Sequence, residues 1–158
     1  MDLRDSAALP VRVERVTPRD GSVSRVRALF SMMAAVFDEA DQDLGDAYLE
    51  SLLAREDLWV LAAFSGDDIV GGLTAHVLPM TRNETRELFV YDLAVRTDHQ
   101  RRGVGRLLMD VLQRLGADAG IRVSFVAADD EDQHALDFYR AIGGVAAPVT
   151  MFTFEAGT

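Results

Sequence analysis

The sequence predicts a mixed α/β fold: a central mixed sheet with helices on both faces. Three observations predict it. Residues 59–64 (WVLAAF) and 69–78 are apolar runs joined by Ser65-Gly66-Asp67-Asp68, the spacing of a hairpin. Val104, Leu107, Leu108, Val111, Leu112 and Leu115 recur at helical spacing between two strand-like runs, the mark of a strand–helix–strand crossover and so of a parallel pair. Two amphipathic helical stretches precede the first long strand, so both faces of the sheet can be covered.

Each element has its own signal. Residues 11–16 (VRVERV) alternate apolar and charged side chains, as a half-exposed strand does. Asp20-Gly21-Ser22 supplies a turn and a helix cap, after which Val23, Val26, Leu29, Phe30, Met33 and Phe37 share one helical face. A shorter helix over about residues 44–54 has Leu44, Tyr48, Leu49, Leu52 and Leu53 as its apolar side. Residues 79–85 are a polar connection, and 87–95 (ELFVYDLAV) form the most strand-like run of the chain. The helix beginning near Val104 should stop at Gly116 or Gly120. Residues 123–128 (VSFVAA) read as a buried strand, and Ala135, Leu136, Phe138, Tyr139 and Ile142 as a last helix closed by Gly143-Gly144. Residues 150–154 read as a final strand, giving the order β-α-α-β-β-β-α-β-α-β. No linker composition and no internal repeat interrupts it, so residues 1–158 are read as a single domain.

Composition narrows the function. A chain of 158 residues with 49% hydrophobic and 27% charged side chains buries an ordinary core, roughly 70% of its unfolded surface. No apolar run approaches the roughly 20 residues that span a bilayer, and residues 1–10, with Asp2 and Asp5, lack the apolar core of a secretory leader. A cytoplasmic protein without a membrane partner is expected. Cysteine is absent, which excludes disulfides, thiolate nucleophiles and Cys-ligated zinc, and the separated His76, His99 and His134 make a poor metal set. No metal site is expected. The net charge of −10 argues against nucleic acid as a partner and for cations. The 16 basic residues are all arginine, so lysine-based covalent chemistry is excluded.

The strongest motif is Gln100-Arg101-Arg102-Gly103-Val104-Gly105, set between a predicted strand and a predicted helix. Glycines there let a ligand approach the backbone, and the N–H groups of the first helical turn favour a phosphate. Arg96, Arg101, Arg102 and Arg106 add positive charge against one acid, Asp98; the plainer reading is a solvated basic loop. A nucleotide P-loop needs a lysine that the chain lacks, and the dinucleotide fingerprint needs a third glycine where Leu108 stands.

Leu93-Ala94-Val95, then Gln100-x-x-Gly103-x-Gly105, then Ala135-x-x-Phe138-Tyr139-x-x-x-Gly143 together resemble the GCN5-related N-acetyltransferase superfamily, over roughly residues 59–154. The resemblance implies acetyl-coenzyme A in a splayed gap between two parallel strands. Its pyrophosphate would sit on the backbone of Arg101, Arg102, Gly103, Val104, Gly105 and Arg106, and its pantetheine arm would pair with Leu93, Ala94 and Val95. Two positions depart from the pattern: Asp132 stands where the family often has Asn, and Gly144 where an aromatic is usual. Leu61-Ala62-Ala63-Phe64, Val77-Leu78-Pro79 and Tyr91-Asp92-Leu93-Ala94-Val95 are further similar to the aminoglycoside 3-N-acetyltransferases of the gentamicin type. Ala128-Asp129 and the helix that follows continue that similarity, whereas residues 37–53 match loosely.

The resemblance places Tyr139 beside the departing sulfur, where a phenol stabilises or protonates a thiolate; spacing alone also allows a tyrosine that only packs its ring. Asp92, an acid inside an apolar strand, needs a partner or a wet pocket, and it is the first candidate to take the proton of the acceptor ammonium. Strict alternation puts Asp92 with Leu88, Val90 and Ala94, a count that a bulge near Leu93 would disturb. Glu87 is the second candidate base. Asp129, Asp130 and Glu131, with Asp38, Glu39 and Asp46 of the crowded acids between residues 38 and 50, are candidates to hold a polycationic small-molecule acceptor; the plainer reading of each cluster is a solvated face. The resulting expectation is an enzyme that transfers acetyl from acetyl-coenzyme A to the 3-amino group of an aminoglycoside, with antibiotic resistance as the consequence and a homodimer allowed. Its rivals are an acetyltransferase of a polyamine, peptide or protein amine, and a non-catalytic acyl-coenzyme A sensor.

Overall fold

The computed structural model describes residues 9–157, so most of the leader region weighed above lies outside it. The chain divides into two compact units, one up to Ala127 and one from Ala128 onward.

The first unit is a five-stranded sheet in the order β1-β2-β3-β4-β5. Its strands are β1 (Val11–Arg15), β2 (Leu58–Ser65), β3 (Asp68–Pro79), β4 (Arg86–Val95) and β5 (Ser124–Val126). β1 to β4 pair antiparallel, and β5 pairs parallel to β4 after the crossover helix α3 (Val104–Asp118). This is the mixed sheet that the hairpin and crossover spacings predict. Helices α1 (Ser22–Val36) and α2 (Asp46–Leu53) pack on one face: Val26, Leu29, Met33, Leu49 and Leu53 are buried with Val60, Ala62, Phe64 and Ala94. On the other face Leu108 and Leu112 of α3 are fully buried, and Leu88 points at Gly116. The close seating of α1 depends on Gly72, where a Cβ would lie 2.3 Å from the Leu29 Cδ1. Trp59 and Met33 are core, as read from the sequence, whereas Met32 is only half-buried.

Two local expectations need correction. Ser22 does not cap α1 at its N-cap position, which Gly21 takes; instead the Ser22 hydroxyl donates to the Thr17 carbonyl (2.6 Å) and accepts from the Arg19 N–H (3.1 Å), fastening the loop before the helix. The strand expected over residues 123–128 is shortened to three residues.

The second unit holds α4 (Gln133–Ala141) and the residues after it. The Asp132 carboxylate caps α4 by accepting from the Ala135 N–H at 3.0 Å. Gly143 and Gly144 end the helix, the Gly144 N–H donating to the Tyr139 carbonyl at 2.8 Å. The final strand expected at residues 150–154 does not form: residues 145–157 carry no secondary structure, and Val149, Met151, Phe152 and Phe154 are exposed. A strand needs a partner for its backbone groups, and none of the strands described pairs with this one.

Candidate active site

The site of the first unit begins with a mismatch in strand length. β4 has ten residues, but β5 pairs only along Leu88, Phe89 and Val90. Asp92, Leu93, Ala94 and Val95 therefore run on with β3 beside one edge and none of the described strands beside the other. An extended ligand arm with amide groups fits such an edge, as an added strand would.

A bulge in β4 sets the direction of Asp92. Thr74 pairs with Asp92 and Ala75 with Val90, so Tyr91 is the extra residue. Leu88 faces α3, while Ala94 packs with α1, although both are even-numbered. The strict alternation drawn from the sequence is thus overturned: the bulge carries Asp92 away from the face of Leu88 and onto that of Ala94. There the buried Thr74 side chain hydrogen-bonds it. Burial pushes the Asp92 carboxyl above its ordinary value, and the negative charge of Glu39 pushes it the same way; the Thr74 hydrogen bond and His76 oppose the shift. His76, edge-on to the Tyr91 ring at 5.6 Å, is thus part of this constellation rather than the lone histidine its sequence position suggests. Thr74 and His76 are two residues apart on β3, a spacing that puts them on one face, but nothing in the sequence ties them to Asp92. Glu87 lies half-buried near the start of β4, opposite Leu78.

Beyond β4 the chain makes one 3₁₀ turn (Thr97–His99), and the Gln100 side chain reaches back to donate to the Val95 carbonyl at 2.9 Å. Arg101 (φ 60°) and Gly103 (φ 81°) are both left-handed, which turns the backbone into a concave cradle ahead of α3. No atom lies within 4 Å of where a Gly103 Cβ would be, so the space over the cradle is open to a ligand. Val104 and Gly105 follow, both buried, with Arg101, Arg102 and Arg106 exposed around them. These residues fit a pyrophosphate. Arg96 serves differently: its guanidinium forks onto Asp98 (2.7 and 3.0 Å), which, with His99, holds the Asp98 carboxyl well below the usual carboxylate range. A cleft of about 430 Å³ lies alongside, lined by Met32, Ala35 and Val36 of α1 and by Arg96, Thr97 and Asp98.

The acidic segment between α1 and α2 folds back on α1. Arg27 binds both the Leu44 carbonyl and the Asp46 carboxylate, and Ser31 donates to Asp41 at 2.8 Å. Asp46, expected to hold substrate, therefore already has a cation. Asp38 is left-handed (φ 55°), and the Glu39 N–H donates to the Ala34 carbonyl at 2.9 Å. The Glu39 carboxylate is exposed, and of the acids in this segment it is the one whose charge acts on Asp92.

In the second unit, Asp129, Asp130, Glu131 and Asp132 are exposed and form the turn before α4, the Asp129 carboxylate accepting from the Glu131 N–H at 2.9 Å. Asp132 is occupied as the helix cap, which leaves one of its oxygens for any other contact. Tyr139 is half-buried on α4 with its ring 5.1 Å from that of Phe138. Burial and then the Asp132 charge push its phenol above the ordinary value, so it carries its proton throughout the physiological range.

Comparison with known proteins gives the family. The family model described as "Acetyltransferase (GNAT) family" matches residues 26–143. An aminoglycoside acetyltransferase from an uncultured soil metagenomic sample is 32% identical, with 94% of this chain and 100% of that one covered and a TM-score of 0.88. A second, from another such sample and solved in complex with sisomicin, is 30% identical, with 93% and 97% covered and a TM-score of 0.88. AAC(6')-Iy in complex with the bisubstrate analogue CoA-S-monomethyl-acetylneamine, at 16% identity, 94% and 99% coverage and a TM-score of 0.77, shares the fold. None of the curated proteins matches the chain.

Proposed function

Since the chain belongs to the acetyltransferase (GNAT) family and is an acetyl-coenzyme A-dependent N-acetyltransferase, we propose that it acetylates an aminoglycoside, at the 3-amino group. The observation that carries this reading is Asp92, a half-buried acid on the apolar strand β4, bonded by the buried Thr74 side chain and facing the negative charge of Glu39. An ionised acid that is partly buried gains from a cation beside it, and an aminoglycoside brings several ammonium groups. The likeness to a protein solved with sisomicin supports the same class of acceptor.

The chain's own residues divide the chemistry. The backbone of Arg101, Arg102, Gly103, Val104, Gly105 and Arg106 holds the pyrophosphate, and Leu93, Ala94 and Val95 offer the open β4 edge to the pantetheine amides. When bound, acetyl-coenzyme A supplies the thioester carbonyl that the amine attacks. An ammonium has no lone pair, so Asp92 Oδ must first take one of its protons, directly or through water. Its raised basicity suits that task better than an ordinary aspartate would. In the second unit Tyr139 Oη, which keeps its proton at neutral pH, is the candidate donor to the leaving thiolate. In the first unit Glu39 holds a further ammonium group of the acceptor, and in the second unit the exposed Asp129, Asp130 and Glu131 are candidates for the same task. Acetylation of an antibiotic amine removes a positive charge, and resistance follows in a cell that carries the enzyme.

A thiol-release assay with acetyl-coenzyme A against aminoglycosides, polyamines and peptides tests the reading. Release is expected with sisomicin and gentamicin, and NMR of the product should place the acetyl group on the 3-amino nitrogen. Release with peptides or polyamines alone would overturn the acceptor, and acetylation at another amine would overturn the position.

A further inference from the structure

The sheet face that carries Asp92 also carries a histidine to which the chemistry has so far given no task. On β3, Gly72 seats α1, so Thr74, His76 and Leu78 follow it on the same face. Opposite them on β4 stand Asp92, Phe89 and Glu87 in turn. His76 therefore lies between the two candidate bases, Asp92 toward one side and Glu87 toward the other. Its half-buried ring is held in place. Tyr91, the extra residue of the bulge, meets it edge-on at 5.6 Å, and Phe89 meets Tyr91 edge-on at 5.8 Å. The other two histidines are placed differently: His99 contacts Asp98 at 3.0 Å, and His134 is exposed at the start of α4.

The charges that face Asp92 come from two elements. Glu39, from the segment after α1, bears on it as a like charge, and His76 of β3 as an opposite one. The cations of α1, Arg25 and Arg27, are turned to Glu14 and Asp46. On α2, Asp46 is thus bound and Glu50 is exposed, while β2 lays the uncharged Leu58, Val60 and Ala62 along this face. The Thr74 hydrogen bond fixes where the Asp92 carboxylate sits but brings no charge. An acid that must be ionised to accept a proton is pressed toward its neutral form by burial and by Glu39. His76 faces both.

We propose that His76 is a positioning residue for Asp92: its protonated imidazole is the counter-charge that keeps the Asp92 carboxylate ionised on the acid side of neutrality, ready for the proton of the acceptor. The consequence for catalysis rests on Asp92 acting as the base. An imidazole carries its proton at the pH where carboxylates titrate, so the counter-charge is present when it is needed. Without it the carboxylate would fill with a proton at a higher pH, and fewer enzyme molecules could accept one from the ammonium.

The test follows the carboxylate and the rate separately. Carboxyl-13C labelling of aspartate, with Asp92→Asn to assign the signal, gives the titration of Asp92 by NMR in wild type and in His76→Gln. In the variant the midpoint should rise by roughly half a unit or more, as loss of a nearby cation requires. The acid limb of kcat/KM with sisomicin should move up with it, so that the rate at about pH 5 falls roughly threefold or more relative to wild type. At about pH 8 the two should agree within roughly twofold, since the carboxylate is ionised in both. His76→Lys, which returns a cation, should bring midpoint and limb back toward wild type, and His76→Asn repeats the comparison if glutamine does not fit. A midpoint unchanged in the folded neutral variants overturns the proposal, and a rate then lowered by one factor at every pH marks a purely structural histidine. If the midpoint rises while the acid limb stays, the pairing of His76 with Asp92 stands and Asp92 loses its place as the base.

Discussion

At Asp92 the proposed role in catalysis and a cost to the fold come from the same cause. Burial and Glu39 raise its affinity for a proton in the folded state above that in the unfolded chain, whose ordinary value is 3.8. Folding therefore favours the protonated form, and the ionised form lowers stability once pH exceeds the folded value. Asp92→Asn removes that charge while keeping a group that can bond Thr74. The variant should melt higher than wild type at pH 7, and the gain should shrink as pH falls toward 4, measurable by calorimetry across that range. Turnover should fall by roughly 100-fold or more, most at low pH where the acceptor is fully an ammonium. A variant with unchanged turnover and pH profile would pass the role to Glu87. Tyr139→Phe keeps the ring against Phe138 and removes the hydroxyl. Turnover should fall roughly tenfold to a thousandfold while coenzyme A affinity, by calorimetric titration, stays near wild type. Both residues were legible in the sequence, one as an acid in an apolar strand and the other through a motif. His76 and Thr74 were not, because their link to Asp92 runs across β3 and β4 and through a bulge whose position no local pattern marks.

At the scale of elements, the strand–turn–helix from β4 to α3 builds the cradle proposed for coenzyme A. Its turn is legible in the glycine spacing, since a left-handed residue before a helix has few spellings. The splay beside it could be expected only through a family resemblance, because where β5 stops pairing depends on three residues in register with Leu88, Phe89 and Val90. Gly103 joins conformation and binding, and two substitutions separate them. Gly103→Val should cost about 1–2 kcal/mol of stability, since φ 81° strains any residue with a branched Cβ. Gly103→Asn tolerates that φ far better but still puts a side chain into the open space over the cradle. Coenzyme A affinity should therefore fall roughly tenfold or more in both variants, with a clear loss of melting temperature only in the first. Unchanged affinity in a folded Asn variant would remove the phosphate from this loop. The C-terminal segment gives the opposite lesson: its strand pattern is plain, but a pattern names no partner, and none of the described strands pairs with it.

For the whole molecule the governing quantity is charge. A net charge of −10 sets the sign of the surroundings through which both reactants approach, and they carry opposite signs. Local pairing then decides which acids remain available to a cation. Asp46 is bound by Arg27, Asp98 by Arg96 and Asp41 by Ser31, while Glu39, Asp129 and Asp130 stay exposed. Acceptor binding should therefore weaken steeply with salt, because exposed charges are substantially screened beyond about 8 Å at physiological ionic strength. Raising salt from about 20 to 300 mM should increase the Michaelis constant of a multiply charged aminoglycoside severalfold and that of a monoamine much less. Glu39→Gln should reproduce much of that increase at low salt, whereas Asp46→Asn, which gives up a charge already neutralised, should change it little. Asp129→Asn with Asp130→Asn should act like Glu39→Gln. The Michaelis constant of acetyl-coenzyme A, whose anionic groups are proposed to meet the arginines around Gly103, should stay nearly constant in all three. If the aminoglycoside and the monoamine respond alike, the exposed acids are a solvated surface, and the choice of acceptor rests on likeness to its relatives alone.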